Sequence, residues 1–403
     1  MYYLYEALNQ KTAASYGGIK GNRYYSAYIT AYSRKGIILV DHKSALKDYL
    51  KQQDIELSFN RIIIQGMGGM AQGLFASLLI GTIIKTIGSF LPGTVGEFLV
   101  SIAGYTSQAQ GAAMGMAIGY AMKCPPYVLY SLATVGIASN TLGGSGGPLA
   151  VFVVSCCAIL MGKLVSKRTR VDLLVTPSVT IISGVLLAAL IAPPIGRAAS
   201  GLGEIIMWTT NLHPFWMGIF NSVLMGIILT LPISSAAICA ALGLVGLAGG
   251  AATAGCCAHM IGFAVCSYRD NKSNGLLSIG LGTSMLLIPN LFKKPLLWIP
   301  PVVASAITGP IATCVFMMTQ NSTPISSGMG TCGLVGPIGI ITGWIVPGEK
   351  ALSMGYEAIV PSFIDWLGLA MICIILPALI SLGVSSFMRK KGWIEEGDYK
   401  LVG

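Results

Sequence analysis

Apolar runs of about 20 residues, parted by short polar or glycine- and proline-rich turns, fill the chain from Ile62 to Met388. Runs of that length suit helices crossing a ~30 Å hydrocarbon core, and they lack the alternation of ten-residue membrane strands. The pattern predicts an all-α, polytopic membrane helical bundle. The first span is expected over Ile62–Leu91 and the second over Phe98–Met122. An out-and-back pair follows, "PPYVLYSLATVGIASNTL" and "PLAVFVVSCCAILMG", joined by the turn "GGSGG" at Gly143–Gly147. A fifth span, Leu173–Ile191, leads into "APPIGRAASGLGEIIMWTTNLH", whose spaced Ile, Met and Trp suit an amphipathic helix at the interface. The sixth is Phe215–Leu231. Beyond it come Ala252–Cys266, Leu276–Phe292, Leu297–Thr319 and Val360–Phe387.

Two stretches break the pattern in the same way. "LPISSAAICAALGLVGLAGG", Leu231–Gly250, and "TPISSGMGTCGLVGPIG", Thr323–Gly339, share "PISS" and then "GLVG". Proline and tandem serines followed by small residues give a broken helix whose freed N–H and C=O groups need partners from protein, water or solute. Paired interruptions of this kind point to a transporter's binding site. The bland alternative is that the small residues serve helix packing. Counted as spans, Ser234–Gly250 and Ile325–Val346 bring the total to about ten; counted as re-entrant hairpins, to about eight. Either count leaves both termini cytoplasmic.

Composition agrees with the pattern: of 403 residues 54% are hydrophobic and 10% charged, outside the range of soluble domains. Residues 1–61 hold nine Lys or Arg and five Asp or Glu, whereas the far longer 62–388 holds twelve and seven. This divides the chain into a cytoplasmic basic arm (1–61), a transmembrane domain (62–388) and a cytoplasmic tail (389–403). In the arm, Lys35–Asp41 reads as a strand and His42–Ile55 as a helix. The opening "MYYLYEALNQ" has no apolar core of signal-peptide length, so the first span is expected to do the targeting. The net charge of +10 sits at the ends of apolar runs, at "KLVSKRTR", "SYRDNK" and "MRKK". That is the positive-inside signature, which points to lipid headgroups and away from nucleic acid.

Polar groups at membrane depth are the candidate chemistry. They include Gln108, Gln110, Asn140, Thr141, Asn221, Thr283 and Ser284. For the solute site the choice falls on Ser234, Ser235, Ser326 and Ser327 of the doubled motif, with Asn290, Gln320 and Asn321 beside them. Neutral amides and hydroxyls suit a small polar solute such as a sugar better than an ion. His259 is the deepest titratable group and the proton-coupling candidate, set against a packed neutral histidine. Lys85, His213, Glu204 and Asp365 read as interfacial or solvated. The ten cysteines have no metal-ligand spacing and read as small packing residues. No hydrolytic, metal or nucleotide motif is present, so no catalytic residue, metal or cofactor is expected, and the chain is not expected to be an enzyme.

Taken together, "NTLGGSGGPLA", the doubled "PISS", "IGLGTSMLLIPN" and "GLVGPIG" resemble the EIIC-type membrane subunits of the bacterial sugar phosphotransferase system. Within these they look like the single-domain branch that includes the perfringolysin regulator PfoR. The resemblance covers residues 62–388. It implies a homodimer in the bacterial inner membrane with about ten spans and two re-entrant hairpins. It also implies a site for a small polar solute between a scaffold and a moving transport domain, and alternating access. Partners of the EIIA and EIIB type would be separate chains, because the arm holds one histidine, His42, and no cysteine, and is too short for either domain. Unlike many EIIC sites, neither broken segment contains a glutamate. A membrane sensor that regulates gene expression, with this fold and no net transport, is the alternative.

Overall fold

The computed structural model describes residues 52–56 and 58–401. The strand expected in the arm and most of its helix lie outside them. Among the described residues there is no strand, and the extended backbone meets in a single antiparallel bridge between Gly246 and Gln320. The remainder is helical: α1 (Asn60–Phe90), α2 (Thr94–Ala121), α3 (Pro126–Gly143), α4 (Gly147–Val165), α5 (Asp172–Thr210), α6 (Pro214–Thr230) and α7 (Ser235–Leu242). Then follow α8 (Gly246–Gly282), α9 (Ile288–Lys293), α10 (Pro295–Val315), α11 (Pro324–Ser327), α12 (Val335–Ile345), α13 (Glu349–Ser353) and α14 (Phe363–Lys390). Six helical stretches are long and apolar enough to cross a bilayer: α1, α3 with α4, α5, α8, α10 and α14.

The long helices sort into two packed halves. In the first, α1 to α5 surround a core of Met70, Met114, Ile118, Leu132, Val135 and Ile159. In the second, α6, α8, α10 and α14 pack around Met225, Met260, Phe263 and Ile372. Small residues allow the close crossings, because without a hydrophobic force between helices in lipid, contact area must come from backbone approach. A Cβ on Gly111 would stand 2.6 Å from Gly136 O, and one on Gly136 would strike Gly111 O. On the other face of α2, a Cβ on Gly73 would lie 2.5 Å from Ala113 O.

Two expectations are corrected. The stretch after the fifth span is not a separate amphipathic helix: α5 runs 39 residues, ~58 Å, straight through Pro193 and Pro194. Adjacent prolines each remove one helical N–H but share nearly the same break, and their fixed φ is itself helical. Leu276–Phe292 is not one helix either. A π turn ends α8 at Gly282, Thr283 is extended (φ −157°, ψ 141°), and a 3-10 turn (Ser284–Leu287) leads into α9. Both broken segments fall short of a span: α7 has eight residues, ~12 Å long, and α12 has eleven, ~17 Å, against a ~30 Å core.

Polar clasps hold the two ends of the described chain. Buried Arg61 and Lys163 converge on Asp54 and on the freed carbonyl of Met122 at the end of α2. Arg61 Nη2 stands 2.8 Å from Asp54 Oδ2 and 3.0 Å from Met122 O, and Lys163 Nζ lies 2.9 Å from the same carbonyl. After α14 the chain folds back: Tyr399 is fully buried against Phe263, its N–H donates to Asp270 Oδ2, and Lys294 pairs with Asp398 at 2.7 Å. Burial pushes the Tyr399 phenol far above its usual range, and its O–H donates to Leu297 O at 3.3 Å.

The α2–α3 crossing gives a direct test. Gly136→Val should lower stability in detergent by about 1–3 kcal/mol through backbone overlap. Gly104→Ala, with open space around its Cβ position, should leave the thermal midpoint unchanged.

Candidate functional site

The two "PISS…GLVG" segments share their "GLVG" conformation and differ at "PISS". Ser234 is the N-cap of α7, its Oγ accepting from Ala237 N at 3.3 Å, whereas in the second copy "PISS" is itself the helical turn α11, preceded by Thr323 without a side-chain cap bond. The first glycine of "GLVG" is left-handed in both copies, Gly243 (φ 60°) at the end of α7 and Gly333 (φ 52°) in the turn before α12, where a Cβ would be strained. A longer helix follows in each case, α8 and α12.

The segments supply each other's missing partners. Ser235 Oγ donates to Gly328 O at 2.6 Å, and its equivalent in the second copy, Ser327, donates from Oγ to Leu244 O at 2.7 Å. Gln320 clasps the last glycine of both copies. Its backbone exchanges two bonds with Gly246 (2.9 and 3.0 Å), while its side-chain Nε2 donates to Gly336 O at 3.0 Å. Ser322 Oγ completes the amide by donating to Gln320 Oε1, also at 3.0 Å.

Beside this crossing lies a cavity of about 190 Å³. It opens at the seam between the halves: Leu74, Leu78, Leu79, Gln110, Asn140, Gly144 and Pro148 belong to the first half. The second half contributes Ile233 to Ala237, Gly282, Thr283, Met285, Met329 and Cys332. Its size is below the ~300–1,000 Å³ of drug-sized pockets, which limits it to a small molecule. No Asp, Glu, Lys, Arg or His lines it.

Hydrogen-bonding capacity in the cavity is concentrated in four groups. Among the described residues, the Gln110 and Asn140 amides have no hydrogen-bond partner. The Ser234 and Thr283 hydroxyls accept from Ala237 N and Met285 N and keep their protons to donate. Ser235, with its proton committed to Gly328, keeps acceptor capacity only. Two amides from the first half thus face two hydroxyls from the second across the seam.

The expected site residues separate on this geometry. Ser234 and Ser235 line the cavity. Ser326 and Ser327 do not: Ser326 Oγ pairs with Thr323 Oγ1 at 3.0 Å, and Ser327 serves the crossing. Gln320 is consumed by the crossing, and Asn321 Nδ2 donates to Thr319 Oγ1 at 3.1 Å while its Oδ1 is buried without a partner. Asn290 lies at a different place, donating to the carbonyls of Asp398 and Lys400 and so fastening the folded-back tail. His259 is fully buried, outside the cavity, between Phe263 and Trp298. Its Nδ1 is 3.2 Å from Thr230 Oγ1, which is 2.8 Å from Ser284 Oγ, next to the cavity-lining Thr283. Thr230 Oγ1 also lies 3.0 Å from Gly226 O, and His259 Nε2 is buried without a partner.

Gln110, Asn140 and Thr283 stand out in the sequence only as polar residues at membrane depth. The signal that would have promoted them is their position next to breaks: Asn140 just before "GGSGG", and Thr283 in the extended link after α8.

A helical membrane bundle with paired broken helices and a neutral polar cavity between two halves defines the class: a multi-pass helical membrane protein. Residues 64–401 match the model of the family described as Phosphotransferase system, EIIC, and the chain belongs to that family. No curated protein matches the chain. The likeness to its PfoR branch has no counterpart in that match, which names the family alone.

The crossing makes a stability prediction. Ser235→Ala and Ser327→Ala each strand one buried carbonyl and should cost about 1 kcal/mol. Gln320→Ala strands Gly336 O and the Ser322 hydroxyl together and should cost about twice that, read as detergent unfolding midpoints. Equal and negligible shifts in all three would show that the crossing does not hold the segments.

Proposed function

We propose that the protein is a sugar-permease-like transporter that binds a small, neutral, polyhydroxylated solute in the seam cavity and moves it by alternating access. The observation that carries this is the set of four free hydrogen-bonding groups, Gln110, Asn140, Ser234 and Thr283, divided between the halves in a cavity without charge. Hydroxyls of a sugar both donate and accept, matching amides that do the same and hydroxyls that can donate. A solute held from both sides is released when the halves part, which is the requirement for alternating access around a fixed site.

A phosphorylated or otherwise charged solute finds no counter-charge there, so on this reading the cavity takes the free sugar. The cavity has no general base, and the protein itself carries out no covalent chemistry. Phosphoryl transfer, where coupled to transport, belongs to EIIA- and EIIB-type partners on separate chains. The protein works as a homodimer in the lipid of the bacterial inner membrane, with both termini cytoplasmic.

The test is thermal stabilisation of purified protein by free hexoses, hexitols and disaccharides, since a ligand of the native state raises its stability by mass action. A hit is expected, with affinity reduced at least tenfold by Gln110→Ala and by Asn140→Ala. Asn290→Ala and Ser326→Ala should leave it intact. Affinity lost on the second pair and kept on the first would move the site away from the seam.

A further inference from the structure

A second, larger cavity of about 540 Å³ lies on the other side of the "GGSGG" loop. Its wall is Leu142 to Ser145 and one face of α5: Pro193, Gly196, Arg197, Ser200, Gly201 and Glu204. It is wetter than the seam cavity, since Arg197 and Glu204 stand in it, two turns apart on the helix. Gly144 lines both cavities, so one loop is all that separates them at that point.

The loop has the marks of a partition held by few bonds. Gly144 takes φ 50° with ψ −121°, a conformation open to glycine and costly for other residues. Gly143 O sits against Gly196, where a Cβ would come within 2.6 Å. Two hydrogen bonds tie the loop to its neighbours. Ser145 Oγ pairs with Ser200 Oγ on α5 at 3.1 Å, on the side of the larger cavity. On the other side, Ser145 O accepts from Ser234 N at 2.8 Å. Ser234 is also one of the four groups facing the seam cavity, so the residue that would touch the solute is bonded through its backbone to the loop that closes over it.

We infer that the two cavities are successive chambers of one solute path, with the Gly143–Gly147 loop as the gate between them and Ser145 as its latch. Solute would meet Arg197, Ser200 and Glu204 first, and pass to the seam when the Ser145–Ser200 and Ser145–Ser234 bonds open. The gate rests on the reading of the seam cavity as the solute site. The three residues in contact at the latch, Ser145, Ser200 and Ser234, contribute only one side-chain pair and one backbone bond, a hold weak enough to open thermally.

Native Cys332, which lines the seam cavity and is nearly fully buried, gives a readout that needs no solute. Its rate of modification by methanethiosulfonate ethylammonium is measured by peptide mass mapping in the full chain, with the exposed Cys314 as internal standard. In Ser145→Cys/Ser200→Cys oxidised with copper phenanthroline, the disulfide fixes the loop to α5, and the Cys332 rate should fall at least tenfold and recover on reduction. Ser200→Ala, which removes the side-chain hold without a cross-link, should raise the rate severalfold. A Cys332 rate unchanged in the cross-linked protein, or unchanged in Ser200→Ala where no cross-link forms, overturns the gate. Because the reagent is not the solute, that result leaves the seam site standing, whereas failure of every sugar to stabilise the protein removes the seam site on separate grounds.

Discussion

A carbonyl or amide released from a helix inside an apolar bundle has no water to turn to, and each one left alone costs about 1–3 kcal/mol. The protein breaks its helices twice, at Pro232–Ser235 and Pro324–Ser327, and resolves the cost by crossing the breaks over each other. Ser235 satisfies Gly328 and Ser327 satisfies Leu244, while Gln320 holds Gly246 with its backbone and Gly336 with its side chain. Each segment thus supplies hydrogen bonds that the other lacks. The geometry of the seam follows from that: Ser234 is presented to the cavity because the crossing fixes the turn in front of it.

The crossing explains why related residues in the two copies have different work. By sequence Ser234 and Ser326 are equivalent, as are Ser235 and Ser327. In the fold both copies touch the α1–α5 half: the first meets Gln110, Asn140 and the glycine loop at the cavity, and the second sets Cys332 and Gly333 against Leu79, Thr82 and Ile83 of α1. The second copy brings only Met329 and Cys332 to the cavity, while its hydroxyls are spent elsewhere: Ser326 on Thr323, Ser327 on Leu244 O and Thr331 on Gly280 O.

The bundle, the positions of the long helices and the doubled segment were legible in the sequence, since twenty-residue apolar runs and a repeated "PISS…GLVG" depend on local chemistry. The left-handed glycines at 243 and 333 are local as well. What was not legible depends on which halves touch. Nothing near Gln110 or Asn140 shows that they will face Ser234 and Thr283, more than 90 residues away. Conversely Gln320 and Asn290 carry the same amide as Gln110, but one is consumed by Gly336 and the other by the tail carbonyls of Asp398 and Lys400. The continuity of α5 was hidden for another reason: Pro193 and Pro194 read as a break, whereas an adjacent proline pair removes N–H groups at nearly one place and its fixed φ is itself helical.

The family match over residues 64–401 places this architecture among phosphotransferase-system EIIC proteins, and the seam cavity gives that membership a physical location. The measurement that tests it most directly is an experimental structure determined with a stabilising sugar bound. The account predicts density between Gln110 and Asn140 on one side and Ser234 and Thr283 on the other, within hydrogen-bonding distance of all four. Density among Ser326, Asn321 and Asn290, with the seam cavity empty, would contradict it.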